Sequence, residues 1–131
     1  MIAEAERLYL VNIYRAQQLA SSLATTATVL SLMDGLVMGS GTMFGLNSSH
    51  SLATERTVWA LPEVSRELEL QTTADICGQV SIGGMPDVGS LHHMARLPDQ
   101  LGTMLALTGY RLTASSLHHA GLATHFCRCG D

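Results

Sequence analysis

Apolar and polar positions follow a helical period at the start of the chain and break into short strand-like runs after it. From Ala3 to about Leu23, the residues Leu8, Val11, Ile13 or Tyr14, Ala16, Leu19 and Leu23 recur every three or four positions, with Glu4, Glu6, Arg15 and Gln18 between them. This spacing predicts an amphipathic helix. TVLSLMDGL, residues 28–36, is apolar and β-branched and ends in the turn signal Asp34-Gly35, which suits a buried strand. Thr42 to Asn47 reads as a short helix whose first turn presents free backbone N–H groups. HSLATE (50–55) and TVWAL (57–61) read as two further strands, the second stopped by Pro62.

Residues 64–79, VSRELELQTTADICGQ, are polar and poorly periodic and read as an inserted loop. GGMPDVGS (83–90) has the composition of a turn. LHHMARL (91–97), DQLGTMLALTG (99–109) and ASSLHHAG (114–121) read as three helices, with Asp99 as N-cap of the second and Gly109 and Gly121 as stops. LATHF (122–126) reads as a final strand. This order of elements predicts an α/β layered unit.

A length of 131 residues allows a single domain, which buries about two-thirds of its unfolded surface. With 47% hydrophobic and 14% charged residues, intrinsic disorder is excluded. A net charge of −4 and only seven Lys and Arg supply no basic stripe, so nucleic acid is expected only as an indirect partner through a neighbouring chain. No apolar run reaches the roughly 18 residues of a membrane span. Glu4 and Glu6 stand where a presequence would be basic. The odd set Cys77, Cys127 and Cys129 makes no disulfide framework and suits a reducing compartment.

His92-His93 and His118-His119 are adjacent pairs whose members point about 100° apart on a helix, so neither is expected to chelate a metal. Met94 and Met104 are expected as core filler. The glycines of GSGTMFG, residues 39–45, fit neither dinucleotide nor P-loop spacing. Two readings stay open: a turn that lets a strand and a helix pack closely, or backbone N–H groups arranged to hold an oxyanion.

LMDGLVMGSG, LATERTVWALPE, GGMPDVG, RLPDQLGTMLALTGYRL and AGLATHF follow one another in an order that resembles the crotonase (enoyl-CoA hydratase/isomerase) superfamily, and most of all its 3-hydroxyisobutyryl-CoA hydrolase branch. The resemblance runs from about residue 28 to 126 and implies an α/β fold, a partial crotonase-type spiral core of ββα units with peripheral helices. It implies acyl-CoA thioesterase ancestry, with no cofactor beyond coenzyme A as part of a thioester substrate. By position, Glu63 and Asp87 match the two acids of the branch, and Gly39, Ser40 and Gly41 match its oxyanion turn. Met43 stands where hydratases carry a first glutamate, so enoyl hydration is not implied.

Three departures from the family bear on activity. Ser40 replaces the middle glycine of the oxyanion turn. Acid–base work needs both acids within reach of one substrate, and the family keeps them about eight residues apart, whereas Glu63 and Asp87 are separated by 24 positions. Should the downstream side keep register instead, Gln79 would stand in for the glutamate. The family segments before and after this stretch are expected to be missing as well, so that either another chain supplies half of an acyl-CoA pocket or the site is lost. The expectation is a truncated crotonase-like domain over 1–131, with the insertion at 64–79, acting as a non-catalytic subunit of a larger protein assembly. Relatives in the branch are components of the mitochondrial small ribosomal subunit, which makes a mitochondrial location and that assembly the implied choice. The alternative is a thioesterase using Glu63 as nucleophile or base, Asp87 as its acid–base partner and the Ser40 N–H as an oxyanion donor.

Overall fold

The computed structural model describes residues 2–64 and 86–128. The helix α1 (Ile2–Thr26) precedes β1 (Leu30–Met33) and β2 (Leu36–Met38), a 3-10 turn (Gly39–Gly41) and α2 (Thr42–Leu46). β3 (His50–Thr54), β4 (Val58–Ala60) and a second 3-10 turn (Pro62–Val64) repeat the pattern. Further along the chain come α3 (Ser90–Met94), α4 (Leu101–Thr108), β5 (Leu112–Thr113), α5 (Ala114–His119) and β6 (His125–Cys127). Beyond Val64, the predicted inserted loop lies outside the described residues, as does Gln79.

The chain winds as a spiral because each strand run is kinked between two sheets. Gly35, with φ at +92°, turns β1 into β2, and a turn at Glu55-Arg56 carries β3 into β4. One sheet has the order β1-β3-β6 and is parallel throughout. The other has the order β2-β4-β5, with β2 and β4 parallel in the register Met38↔Ala60 and β5 antiparallel to β4. Side chains clamp the two kinks together. The Arg56 guanidinium pairs with both carboxylate oxygens of Asp34, Thr54 Oγ1 donates to Asp34 Oδ1 at 2.6 Å, and Thr57 Oγ1 donates to the Met33 carbonyl at 2.5 Å. These hydrogen bonds from Arg56, then Thr54, hold the Asp34 carboxyl below the usual carboxylate range.

Trp59, Leu61, Leu105 and Leu117 are fully buried, and with Met33, Ala53, Met94 and Leu112 they form one core between the sheets and α3–α5. Burial of each large side chain contributes about 1.5–3 kcal/mol.

Several expectations shift. The first helix is present, but Leu8, Leu19 and Leu23 are 62%, 63% and 53% exposed, while Ala16, Gln17, Ala20, Ser21 and Ala24 form its half-buried side. Periodicity locates a stripe without saying which face meets a neighbour; here small residues make the close approach. Asp99 does not cap α4. It and Gln100 are both left-handed, at φ +52° and +59°, so the Leu101 N–H bonds the Pro98 carbonyl and no side chain caps the helix. Met104 is 39% exposed, because α4 buries the neighbouring face that carries Gly102 and Leu105. The last strand starts at His125, since the N–H groups of Leu122 and Ala123 are taken by the Leu117 carbonyl at the end of α5. The brief strands β2 and β5 lie outside the expected elements.

α4 packs on α3 where Gly102 meets the Met94 carbonyl, leaving no room for a Cβ. In an exposed helix, Gly→Ala gains about 0.5–1 kcal/mol. Gly102→Ala is expected instead to lower the midpoint of thermal unfolding, since the obstacle is backbone. An unchanged or raised midpoint in a melting experiment would show that α3 and α4 are not held this closely.

Candidate functional site

β2 and β4 are parallel neighbours in register, so the segments that leave their carboxyl ends emerge at the same edge of the sheet. After β2 comes the Gly39–Gly41 turn; after β4 and the buried Leu61 comes Glu63. Parallel pairing thereby brings together two segments 24 positions apart in the chain. Gly39, with φ at +53°, is left-handed and buried, and a Cβ there would lie 3.2 Å from Glu63 Oε1. Glycine thus serves both the backbone geometry and the approach of the acid. The turn is fixed by Thr42, whose Oγ1 donates to the Gly39 carbonyl at 2.8 Å. Ser40 is half-buried in the turn and Gly41 exposed. Such an opening turn has N–H groups without intrahelical acceptors. Met43, at the position where the resemblance places a hydratase glutamate, is buried.

Glu63 is only 7% exposed, and its Oε2 has no hydrogen-bond partner among the described residues. Desolvation raises the proton affinity of its carboxyl above the ordinary glutamate range; the negative charge of Asp87 adds to this, and a contact with its own backbone N–H works against it. Asp87 is therefore close enough for its charge to act on Glu63, although the insertion separates them in sequence. Glu63 is the acid the described residues place beside the Gly39 turn; Gln79 lies outside them.

The Asp87 turn is tightly determined. Its carbonyl accepts the Ser90 N–H at 2.8 Å and the Ser90 hydroxyl at 2.7 Å. Val88 and Gly89 both have positive φ, +46° and +79°. For a β-branched residue this conformation costs on the order of 1–3 kcal/mol, and Val88 is buried. On the other side, Tyr14 Oη of α1 donates to Asp87 Oδ2 at 3.5 Å. A largely open hollow of about 580 Å³ lies along α1, bordered by Tyr14, Gln17, Gln18, Ser21, Ser22 and Thr25. Tyr14 joins this hollow to the acid pair.

Sequence reasoning named Gly39, Ser40, Glu63 and Asp87 but missed Tyr14, which counted there as part of an apolar stripe. A polar junction was missed as well: Asn47 Oδ1 accepts Ser21 Oγ at 3.2 Å and lies 3.4 Å from His93 Nε2. Burial, then the nearby His92 and Arg96, lower the His93 proton affinity. His50 and His125 also meet across β3 and β6, with ring centroids 5.6 Å apart. Among the described residues, no group of three His, Cys, Asp or Glu side chains is placed to hold a metal. No helix among them is long and apolar enough to cross a membrane.

The profile of the family described as enoyl-CoA hydratase/isomerase matches residues 3–68 and 71–130. The chain belongs to that family. Among curated members, the mouse (Mus musculus) mitochondrial 3-hydroxyisobutyryl-CoA hydrolase is 39% identical over 97 residues, which is 74% of this chain and 21% of the mouse protein. The Arabidopsis thaliana small ribosomal subunit protein mS47 is 34% identical over 124 residues, 95% of this chain and 26% of that protein. The chain thus spans about a quarter or less of the length of these relatives. A solved carnitinyl-CoA dehydratase from Mycobacterium thermoresistibile superposes with a TM-score of 0.73 at 29% identity, covering 96% of this chain and 32% of that one. The α/β fold with a partial crotonase-type core is the one the resemblance implied.

A raised proton affinity in the folded state means that the native protein holds the Glu63 proton more tightly than the unfolded chain. Stability therefore falls as pH rises from the ordinary glutamate range through the raised value. Glu63→Gln removes that slope and is expected to melt higher than the parent at neutral pH. Its advantage should shrink as the medium is acidified toward about pH 4. Parallel melting curves across this range would contradict an ionised, desolvated Glu63.

Proposed function

We propose that this chain forms the acid-bearing core of an acyl-CoA thioesterase of the 3-hydroxyisobutyryl-CoA hydrolase type, in a mitochondrial protein. The observation that carries the reading is Glu63: desolvated and raised in proton affinity beside the Gly39 turn, within the field of Asp87. A buried carboxyl oxygen with no partner among the described residues costs stability, and such a cost is more common at functional sites than elsewhere. The close approach of Glu63 to the Gly39 turn supports the reading, although 24 positions separate Glu63 from Asp87 in the chain.

In this mechanism the Glu63 carboxylate attacks the thioester carbonyl carbon, or deprotonates a water that does so. The carbonyl π electrons move onto oxygen. The Ser40 N–H and a second donor from the rest of the acyl-CoA site hold that oxyanion. As the tetrahedral centre collapses, the C–S bond breaks, and coenzyme A leaves with a proton supplied through Asp87. Where Glu63 is the nucleophile, water then cleaves the acyl-glutamyl anhydride, releasing the acid and restoring the carboxylate. Raised proton affinity makes the Glu63 carboxylate a stronger base than an ordinary glutamate.

A second reading is a structural subunit of the mitochondrial ribosome. The match to the Arabidopsis ribosomal protein along 95% of the chain favours it. The two readings separate on turnover. The full-length protein carrying this chain is expected to release coenzyme A thiol from 3-hydroxyisobutyryl-CoA. Glu63→Gln and Asp87→Asn should each lower kcat by about a hundredfold or more. Absence of thiol release together with co-sedimentation with small ribosomal subunits would favour the structural role instead.

A further inference from the structure

α1 is held to the rest of the structure by a polar seam. Tyr14, Gln17 and Ser21 recur at helical spacing and lie along one side of the helix, while Leu8, Leu19 and Leu23 remain exposed on another. The three polar side chains meet three successive supports. Ser21 Oγ donates to Asn47 Oδ1 at 3.2 Å, and the Asn47 amide in turn donates to the Met43 carbonyl at 2.9 Å. The Gln17 amide fills the space where a Cβ at Gly89 would stand. Tyr14 Oη donates to Asp87 Oδ2 at 3.5 Å.

Ser90, Val88 and Gly89 fix the Asp87 backbone, but none of them fixes its carboxylate, which can still turn about two side-chain bonds. The phenol of Tyr14 is the described hydrogen-bond donor to it. We infer that Tyr14 is a positioning residue for Asp87: its phenol holds the Asp87 carboxylate in the orientation that serves Glu63, and the Gln17 and Ser21 contacts set the height of α1 so that the phenol arrives there. This rests on the proposed thioesterase reading and adds to it a residue from a different element. The 3.5 Å separation is long for O–H···O; hydrogen bonds in empty acid sites commonly tighten when substrate is in place. Tyr14 also borders the open hollow along α1.

The test is a double-mutant cycle in the full-length protein, with Tyr14→Phe, Asp87→Asn, both together, and Tyr9→Phe as a control on the same helix. Tyr14→Phe is expected to lower kcat about tenfold with KM within about twofold, and to have no further effect once Asp87 is Asn. Tyr9→Phe should match the parent. Equal effects of Tyr14→Phe with and without the Asp87 carboxylate would overturn the inference, as would an unchanged kcat. The parent and the cycle variants are also unfolded in urea as a readout independent of turnover. Coupling that changes the unfolding equilibrium constant by about two- to fivefold supports the Tyr14–Asp87 contact; strict additivity overturns it. Lack of turnover in the parent with coupling in urea would defeat the thioesterase reading and the positioning role, leaving a structural contact.

Discussion

The parallel pairing of β2 with β4 is the constraint on which the rest of the site depends. Since Met38 and Ala60 are partners, the two strands finish side by side, and the Gly39 turn and Glu63 leave the sheet at one edge. The kinks that pass the chain from one sheet to the other keep this pairing aligned, which is why Asp34, Arg56, Thr54 and Thr57 are tied across both. The result is a glycine turn whose backbone an acid can approach closely, with the acid itself withdrawn from water. Desolvation then does most of the chemical tuning, and Asp87 adds to it.

Backbone strain occurs both beside the proposed site, at Val88, and at the start of α4, at Asp99 and Gln100. Val88 takes a left-handed conformation that a β-branched residue avoids, and a buried Glu63 oxygen has no partner among the described residues. Around Trp59 the core is built of aliphatic side chains.

Much of this was legible in the sequence, for identifiable reasons. The helix α1, the turn at Asp34-Gly35, β3, β4 and the stops at Gly109 and Gly121 come from periodicity and left-handed glycines. Gly39, Glu63 and Asp87 were readable because their motifs resemble a family pattern. What could not be read was set by tertiary contact. Leucine periodicity in α1 hid that its working side is Tyr14, Gln17 and Ser21. Asp99 had the right side chain for a cap, but the left-handed pair at Asp99 and Gln100 turned it away. Three-residue β2 is too short for an alternating pattern, yet its pairing fixes the site. Whether Glu63 or Gln79 would face the turn depended on a spatial relation that spacing along the chain does not contain.

Glu63 is the group through which the acid pair can be tested most directly. Its titration, followed by carbon NMR of protein labelled at glutamate side chains and assigned with Glu63→Gln, is expected to lie above the ordinary glutamate range. In Asp87→Asn it should move part of the way back, since desolvation remains when the neighbouring charge is removed. A Glu63 that titrates with the surface glutamates, or that ignores the loss of the Asp87 charge, would contradict the acid pair.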